Sequence, residues 1–258
     1  MDLSIVIVNY KSEEKTLACL NAIKAGDMSG LKYEIIVVDN ASGDEMRDVL
    51  RLHKDIYFKR SSQNLGMGGG NNYGIKDARG KYILVLNPDT LVSPKAIKTL
   101  FEYIKNHLEA GIVGPKLLNT DGSLQYSCAR FPKFYTPLLR RTFVGKLGKK
   151  HLANFMMMDF GHDVIRPVDW LMGSCLMINR EALQKIGGGF DESFFMYFED
   201  IDLCRRMWKA GFKVIYNPEV VVVHDHARQS ARAPWYSAPF TDKLAREHIK
   251  SWLIYFLK

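Results

Sequence analysis

Short, nearly unbroken apolar runs alternate with stretches of helical period along the first half of the chain. Residues 3–8 carry Leu3, Ile5, Val6, Ile7 and Val8 with only Ser4 between them, the signature of a strand buried on both faces. Residues 12–25 then place Leu17, Leu20 and Ile23 at helical spacing. Residues 33–38 form a second strand, followed by the polar turn Asp39-Asn40-Ala41-Ser42-Gly43 and a helix ending near His53. Residues 56–59 are a third strand. The glycine-rich Asn64-Leu65-Gly66-Met67-Gly68-Gly69-Gly70-Asn71-Asn72 feeds a short helix. Residues 82–86 are the longest wholly apolar strand of this half, and Pro88 ends it, having no N–H to give a ladder. A helix from Ser93-Pro94 to His107 follows. Strands separated by helices of this length predict βαβ units and an α/β fold: a mostly parallel, doubly wound, Rossmann-like sheet with helices on both faces.

Beyond Gly111 the pattern loosens. Residues 112–118 and the turn Asn119-Thr120-Asp121-Gly122 predict a strand entering a hairpin. Between residues 127 and 150 lie seven basic side chains, no acidic ones and four interleaved aromatics, Phe131, Phe134, Tyr135 and Phe143, without clear periodicity. The expectation there is a mobile basic segment. Residues 169–179 predict one strand containing Gly173-Ser174, and a strand glycine marks close approach of a ligand or another backbone. A helix is expected within residues 191–211, short strands at 214–216 and 219–223, and a basic, aromatic-rich helical end over 241–258. The expected organisation is a single domain over residues 1–230, divided near residue 110, with 231–258 as a helical extension.

Composition narrows the partners. Hydrophobic residues at 47% and charged residues at 25% are ordinary for a globular protein, but a net charge of +8 calls for an anionic partner. A nucleotide, a phosphorylated lipid or an anionic membrane surface would serve; no nucleic-acid recognition module is visible. The four cysteines, Cys19, Cys128, Cys175 and Cys204, are widely spaced with no C-x-x-C pair, which favours free thiols in a reducing cytoplasm. Met1-Asp2 leads straight into an apolar strand without a basic n-region. No apolar run approaches the ~20 residues of a spanning helix. The expected location is cytoplasmic, soluble or peripheral on the inner face of the membrane.

Several polar residues gather at predicted strand ends, where open α/β sheets bind ligands. Asn9-Tyr10, Asp39 and Asp89 close strands one, two and four. A carboxylate can accept a ring N–H and a tyrosine can cover a base, so a nucleoside pocket is expected. Helix capping by Asp39 and Ser42 is the plainer reading of those two alone. The glycine-rich loop is neither G-x-G-x-x-G nor a P-loop; as a helix start it suits an anion, and its glycines equally suit tight packing. Asp200, Leu203, Cys204 and Met207 fall at i, i+3, i+4 and i+7 and share a helix face. Asp200 therefore sits at the rim of the core behind an aromatic run, placed to act as a general base. Glu199 and Asp202 point elsewhere, and for Asp202 complementation of the helix dipole suffices. One of His224 and His226 reaching a divalent ion held by Asp89 is a further expectation, with the strand end favouring His224.

With these residues in view, the chain resembles the inverting glycosyltransferases of family 2, most closely their rhamnosyltransferase-like branch. The resemblance spans roughly residues 3–230. It rests on Ser4-Ile5-Val6-Ile7-Val8-Asn9-Tyr10, Val37-Val38-Asp39-Asn40-Ala41-Ser42, Asn64-Leu65-Gly66 and Leu86-Asn87-Pro88-Asp89. Further on it takes in Trp170-Leu171-Met172-Gly173-Ser174, Gly188-Gly189-Phe190-Asp191-Glu192 and Phe198-Glu199-Asp200-Ile201-Asp202. It implies a GT-A fold, with residues 1–110 as the nucleotide-sugar half and 111–230 as the acceptor side. It implies a dTDP- or UDP-sugar donor contacted by Asn9, Tyr10, Asp39, Asn40, Asn64, Gly66, Asn87 and Asp89. Asn87-Pro88-Asp89 stands at the family's D-x-D position, so Asp89 with His224 is expected to hold Mg²⁺ or Mn²⁺. Asn87 replaces a carboxylate there and adds no charge. Asp200 matches the catalytic base, and Trp170 and Glu199 lie near a glycan or lipid-linked acceptor. The implied reaction is transfer of L-rhamnose from dTDP-rhamnose by single displacement onto a cell-surface polysaccharide acceptor. The alternatives are a UDP-sugar donor (galactofuranose or N-acetylglucosamine) and a degenerate nucleotide-binding scaffold. Sugar-nucleotide nucleotidyltransferases carry a glycine- and arginine-rich loop after strand one, and Asn9-Tyr10-Lys11-Ser12 is not that.

Overall fold

In the computed structural model, residues 1–43, 46, 50, 53–225 and 237–258 are described. His226, and the helix expected before His53 apart from Met46 and Leu50, lie outside them.

Strand β1 (Leu3–Asn9) is buried along its whole length. Its alternate side chains point to opposite faces, and both faces are covered, which is why the run is apolar without a break. Leu3, Ile5 and Ile7 meet Cys19, Leu20 and Ile23 of helix α1 (Glu13–Lys24) and the buried stripe Ala96, Ile97, Leu100, Phe101 and Ile104 of helix α3 (Ala96–Asn106). Val6 and Val8 enter a second core with Ile75 of helix α2 (Gly66–Ile75) and Leu203, Cys204 and Met207 of helix α7 (Glu199–Lys209). The result is a three-layer α/β/α arrangement.

The central sheet runs β3 (Ile56–Arg60), β2 (Tyr33–Asp39), β1, β4 (Tyr82–Leu86), β11 (Cys175–Asn179), β6 (Ala110–Leu118), β12 (Lys213–His224) and β5 (Thr90–Val92). The pairings β3-β2-β1-β4 and β6-β12 are parallel, while β11 and β5 run against their neighbours. The α/β, mostly parallel architecture is as expected. Because β1 is flanked by β2 on one side and β4 on the other, the winding reverses at β1, and the crevice at such a reversal is where ligands bind. Register puts Asn9 opposite Asp39, and His224 opposite Thr90, at one edge of the sheet.

Three expectations change, and one short strand is added. The segment at 127–150, where no periodicity was expected, contains regular elements: β8 (Cys128–Ala129), helix α4 (Thr136–Arg141) and a 3₁₀ turn (Phe143–Lys146), and it runs into helix α5 (Lys149–Phe155). Elements of one or two turns are too short to show a period. The strand expected over 169–179 is two, β10 (Trp170–Leu171) and β11, broken at 172–174. The strands expected at 214–216 and 219–223 are one, β12, carried past Pro218 by a register shift between Asn217 and Val221. The short strand β5 follows Asp89 directly.

The C-terminal helix α9 (Lys243–Leu257) packs on the domain. Ser251 Oγ donates to Met196 O at 2.9 Å, Trp252 Nε1 to Phe134 O at 2.9 Å, and Tyr255 is buried against Phe198. All four cysteines are buried free thiols, as expected.

Candidate active site

The ends of β1 and β2 are joined by a buried amide. Asn9 Nδ2 donates to Asp39 Oδ1 at 3.1 Å and to Ser42 Oγ at 3.2 Å, while its Oδ1 accepts from the Ser12 and Thr16 hydroxyls at 3.0 Å each. Asn9 is therefore a clasp that aims Asp39. The buried Asp39 carboxylate also accepts from Ser42 N–H at 3.3 Å and lies 3.7 Å from Arg60 Nε. Tyr10, next in the chain, leaves the sheet with an exposed ring. A cavity of about 600 Å³ opens at the ends of β2 and β3, lined by Ala41, Ser42, Gly43, Arg60, Ser61 and Ser62.

Of the two roles open to the glycine-rich helix start, anion binding and tight packing, the contacts favour packing. Leu65 N–H donates to Asn40 Oδ1 and Gly66 N–H to Asn64 Oδ1, each at 2.9 Å, and Met67 N–H donates to Phe195 O at 2.9 Å. Those donors are spent inside the protein. The Asn40 amide is fully engaged too, giving Nδ2 to Asn64 Oδ1 and Gly66 O. The glycines serve packing: a Cβ on Gly66 would stand 2.0 Å from Phe195 O, and one on Gly74 would stand 2.5 Å from a Val6 methyl. Gly66, at φ +75, also needs a left-handed backbone.

The turn Asn87-Pro88-Asp89 is closed by Thr90, whose hydroxyl donates to Asn87 O at 2.6 Å. Asp89 Oδ1 is buried with no hydrogen-bond partner and lies 3.4 Å from His224 Nε2. A carboxylate oxygen and an imidazole nitrogen facing each other in a buried place are chemically suited to a divalent cation. The residues present thus fit the metal that the family implies. No group of three or more His, Cys, Asp or Glu side chains converges among the described residues. Asn87 brings no charge.

On the other side, helix α7 begins abnormally. Tyr197 (φ 69) and Phe198 (φ 67) both take the left-handed conformation, and no side chain caps the helix. Two consecutive aromatics there are genuine outliers, costing about 1–3 kcal/mol each. The packing of Phe198 against Tyr255 and His248 of α9 holds them. Asp200 is thereby delivered to the rim of the core, with Leu203, Cys204 and Met207 buried below it. Its Oδ2 accepts from Gly173 N–H at 2.9 Å and its Oδ1 from Ile201 N–H at 2.8 Å. Burial raises its pKa above the ordinary aspartate value, with these N–H groups pulling the other way. Glu199, in the core with Oε2 unpartnered, is raised by burial and then by the neighbouring Asp200 charge. Asp202 is structural: Arg206 Nε at 2.7 Å and Arg205 Nη2 at 3.2 Å hold it, and Arg206 also ties down Ile186 O and Gly189 O.

Residues 172–174 bridge the two halves. Ser174 O accepts from Asn87 N–H at 2.8 Å, one residue after Gly173 N–H reaches Asp200. The glycine expected to mark a close approach does so, and what approaches is Asp200: a Cβ on Gly173 would stand 3.3 Å from the Asp200 Cβ. Ser174 Oγ is buried without a partner. Trp170 is buried, gives its indole N–H to Arg130 O at 2.8 Å and pairs with Ala129, so it anchors this bridge. Sequence reasoning missed Ser174 and Gln125. Gln125 Oε1 lies 2.7 Å from His224 Nδ1, and the only signal for it was the polar residue closing the predicted hairpin.

A family model described as glycosyl transferase family 2 matches residues 4–187. The chain is 33% identical to the low-salt glycan biosynthesis hexosyltransferase Agl10 of Haloferax volcanii, over 90% of this chain and 69% of that one. It is 30% identical to an N-acetylglucosaminyl-diphospho-decaprenol L-rhamnosyltransferase of Mycobacterium tuberculosis, over 90% and 78% of the two chains. It is 27% identical to the rhamnosyltransferase WbbL of Escherichia coli K12, over 98% and 92%. Among solved structures, S. aureus TarS 1–349 superposes with a TM-score of 0.60 at 14% identity, covering 95% of this chain and 73% of that one. GalNAc-T7 with UDP, GalNAc and Mn²⁺ gives 0.67 at 16%, covering 87% and 43%. The structural likenesses carry the GT-A fold alone, but the sequence match and the order of strand ends agree: this chain is a glycosyltransferase of family 2, of the rhamnosyltransferase-like kind.

Proposed function

We propose that the protein transfers L-rhamnose from dTDP-rhamnose, with inversion, to a hydroxyl of a lipid-linked or growing cell-surface glycan, using Asp200 as base. The observation that carries this reading is the Asp200 carboxylate. It is desolvated at a strained helix start and joined through residues 172–174 to the Asn87-Pro88-Asp89 turn. A raised pKa suits a carboxylate for taking a proton from a hydroxyl. Gly173 N–H and Ile201 N–H fix both of its oxygens, leaving their remaining lone pairs for the acceptor O–H. As the acceptor oxygen attacks the anomeric carbon, its proton passes to Asp200 and the bond to the nucleoside diphosphate breaks. Asp89 and His224 are assigned to hold Mg²⁺ or Mn²⁺, whose charge would offset that developing on the departing diphosphate. Asp39 is assigned to the pyrimidine ring N–H and Tyr10 to its face, with Asn9, Asn40, Asn64 and Gly66 fixing the wall behind them. Glu199, kept protonated by burial, and Trp170 shape the acceptor side.

Rhamnose is favoured by the relatives' names, one of which specifies a decaprenyl-diphosphate-linked acceptor. The exposed basic and apolar side chains Lys133, Leu138, Arg140, Lys146, Leu147 and Lys149 are assigned to the anionic membrane surface carrying such an acceptor. No helix among the described residues is long and apolar enough to cross a membrane.

The test is thermal unfolding with dTDP-rhamnose and with UDP-sugars, each with and without Mn²⁺, since a ligand that binds only the native state raises its apparent stability. A metal-dependent shift with dTDP-rhamnose is expected. A shift with a UDP-sugar alone overturns the donor, and no shift with any of them favours the scaffold reading.

A further inference from the structure

Gln125 lies at the end of a row of side chains with a fixed direction. The hairpin between β6 and β7 (Leu124–Gln125) turns through residues 119–123. Ser123 Oγ lies 2.6 Å from Asp121 Oδ1, the length of a hydroxyl donating to a carboxylate. With its hydrogen so used, Ser123 Oγ accepts from Asn119 Nδ2 at 2.9 Å. Asn119 therefore turns its oxygen to Gln125, whose Nε2 donates to it at 2.9 Å. Gln125 must then present Oε1, an acceptor only, to His224 Nδ1 at 2.7 Å. The hydrogen of the neutral ring sits on Nδ1, its lone pair sits on Nε2, and Nε2 is the nitrogen facing Asp89 Oδ1. Gln125 is itself 6% exposed and His224 2%, so water does not compete for this bond.

We propose that the Asp121–Ser123–Asn119–Gln125 relay locks His224 in its Nδ1–H tautomer, making Gln125 the positioning residue that presents the Nε2 lone pair to a divalent cation. The inference rests on the metal reading given under the proposed function and adds to it the reason for the hairpin. A charged end, Asp121, sets the direction of every amide in the row. Partners of this kind commonly govern metal affinity by about 10–100-fold.

Two readouts separate the relay from the metal. In metal-free protein, long-range ¹H–¹⁵N correlation reports the His224 tautomer, assigned by its loss in His224→Ala. Nδ1–H is expected in wild type and in Gln125→Glu, which keeps an acceptor, and a mixture in Gln125→Leu. Mn²⁺ is then titrated by electron paramagnetic resonance with dTDP and, separately, UDP present. Gln125→Leu should weaken binding about tenfold or more, and Gln125→Glu should restore most of it. An Nε2–H ring in wild type overturns the relay, even if neither variant folds. Unaltered Mn²⁺ affinity in a folded Gln125→Leu, or equal loss in Leu and Glu variants, also overturns it. Unaltered Mn²⁺ affinity in His224→Ala overturns the metal reading instead.

Discussion

At the scale of single residues, the site is two carboxylates in opposite circumstances. Asp39 is buried but held by an amide, a backbone N–H and a nearby guanidinium, whereas Asp200, half-buried at the rim of the core, has neutral donors only. The Asp200 pKa lies above its free value, and a base works only when deprotonated. Turnover should therefore fall as pH falls through that raised value, with the acid limb of kcat well above the ordinary aspartate pKa of about 3.9. A pH–rate profile that stays flat down to pH ~4 contradicts this. Asn87 gives the second prediction. Asn87→Asp adds a charge beside Asp89 and should tighten Mn²⁺ binding more than it raises kcat, as read by Mn²⁺ titration beside steady-state rates. Unchanged affinity means this turn does not serve the metal. Asp89, Asp200 and His224 were legible because strand ends and helix faces follow from spacing. Gln125 and Ser174 were not, because their roles depend on what a distant strand brings beside them.

At the scale of elements, helix α7 is the most instructive. Its apolar face was readable from the sequence, and Asp200 falls where that face predicts. Its start near Glu199 was readable too, but the left-handed pair Tyr197-Phe198 before it was not: α9 holds that pair, with His248 packed on both rings. Burial, with the Arg141 and Arg140 charges beside it, lowers the His248 pKa to about 3. Its folded-state pKa lies below its unfolded value of about 6.5, so between these values the unfolded chain binds the extra proton, and acid favours unfolding. The contribution reaches roughly 2 kcal/mol at pH 5. Glu199 and Asp200, raised in the fold, act in the opposite sense, so the comparison with a variant isolates the histidine. Between pH 7 and pH 5 the urea midpoint of His248→Gln should rise relative to that of wild type, the two acids contributing equally to both. Equal slopes would show that the ring is protonated in the fold. Helices α4 and α5 were illegible for another reason: six or seven residues carry too little of a 3.6-residue period to be seen.

At the scale of the molecule, the parallel sheet and its reversal at β1 place Asp39, the Asp89–His224 pair and Asp200 along one edge. The basic α4–α5 region falls in the half proposed to face the acceptor, residues 111–230. If that region meets an anionic membrane, Lys146→Glu with Lys149→Glu should reduce co-sedimentation with phosphatidylglycerol vesicles several-fold and leave neutral vesicles unaffected, with each basic residue worth about 1 kcal/mol near such a surface. Undiminished binding would remove this face from the interaction. The architecture was readable from the sequence because buried parallel strands are apolar without a break. The link through residues 172–174 was readable only in part: Gly173 marked a close approach, but no pattern named the Asp200 carboxylate and the Asn87 N–H as the groups it joins. The central claim, that Asp200 is the base across that link from the donor site, is tested most directly with Asp200→Asn. Donor affinity by calorimetry and nucleoside diphosphate release with a competent acceptor are measured on the same preparation. The account predicts donor binding close to wild type and kcat reduced about 10²–10⁴-fold. Turnover near the wild-type rate would contradict it.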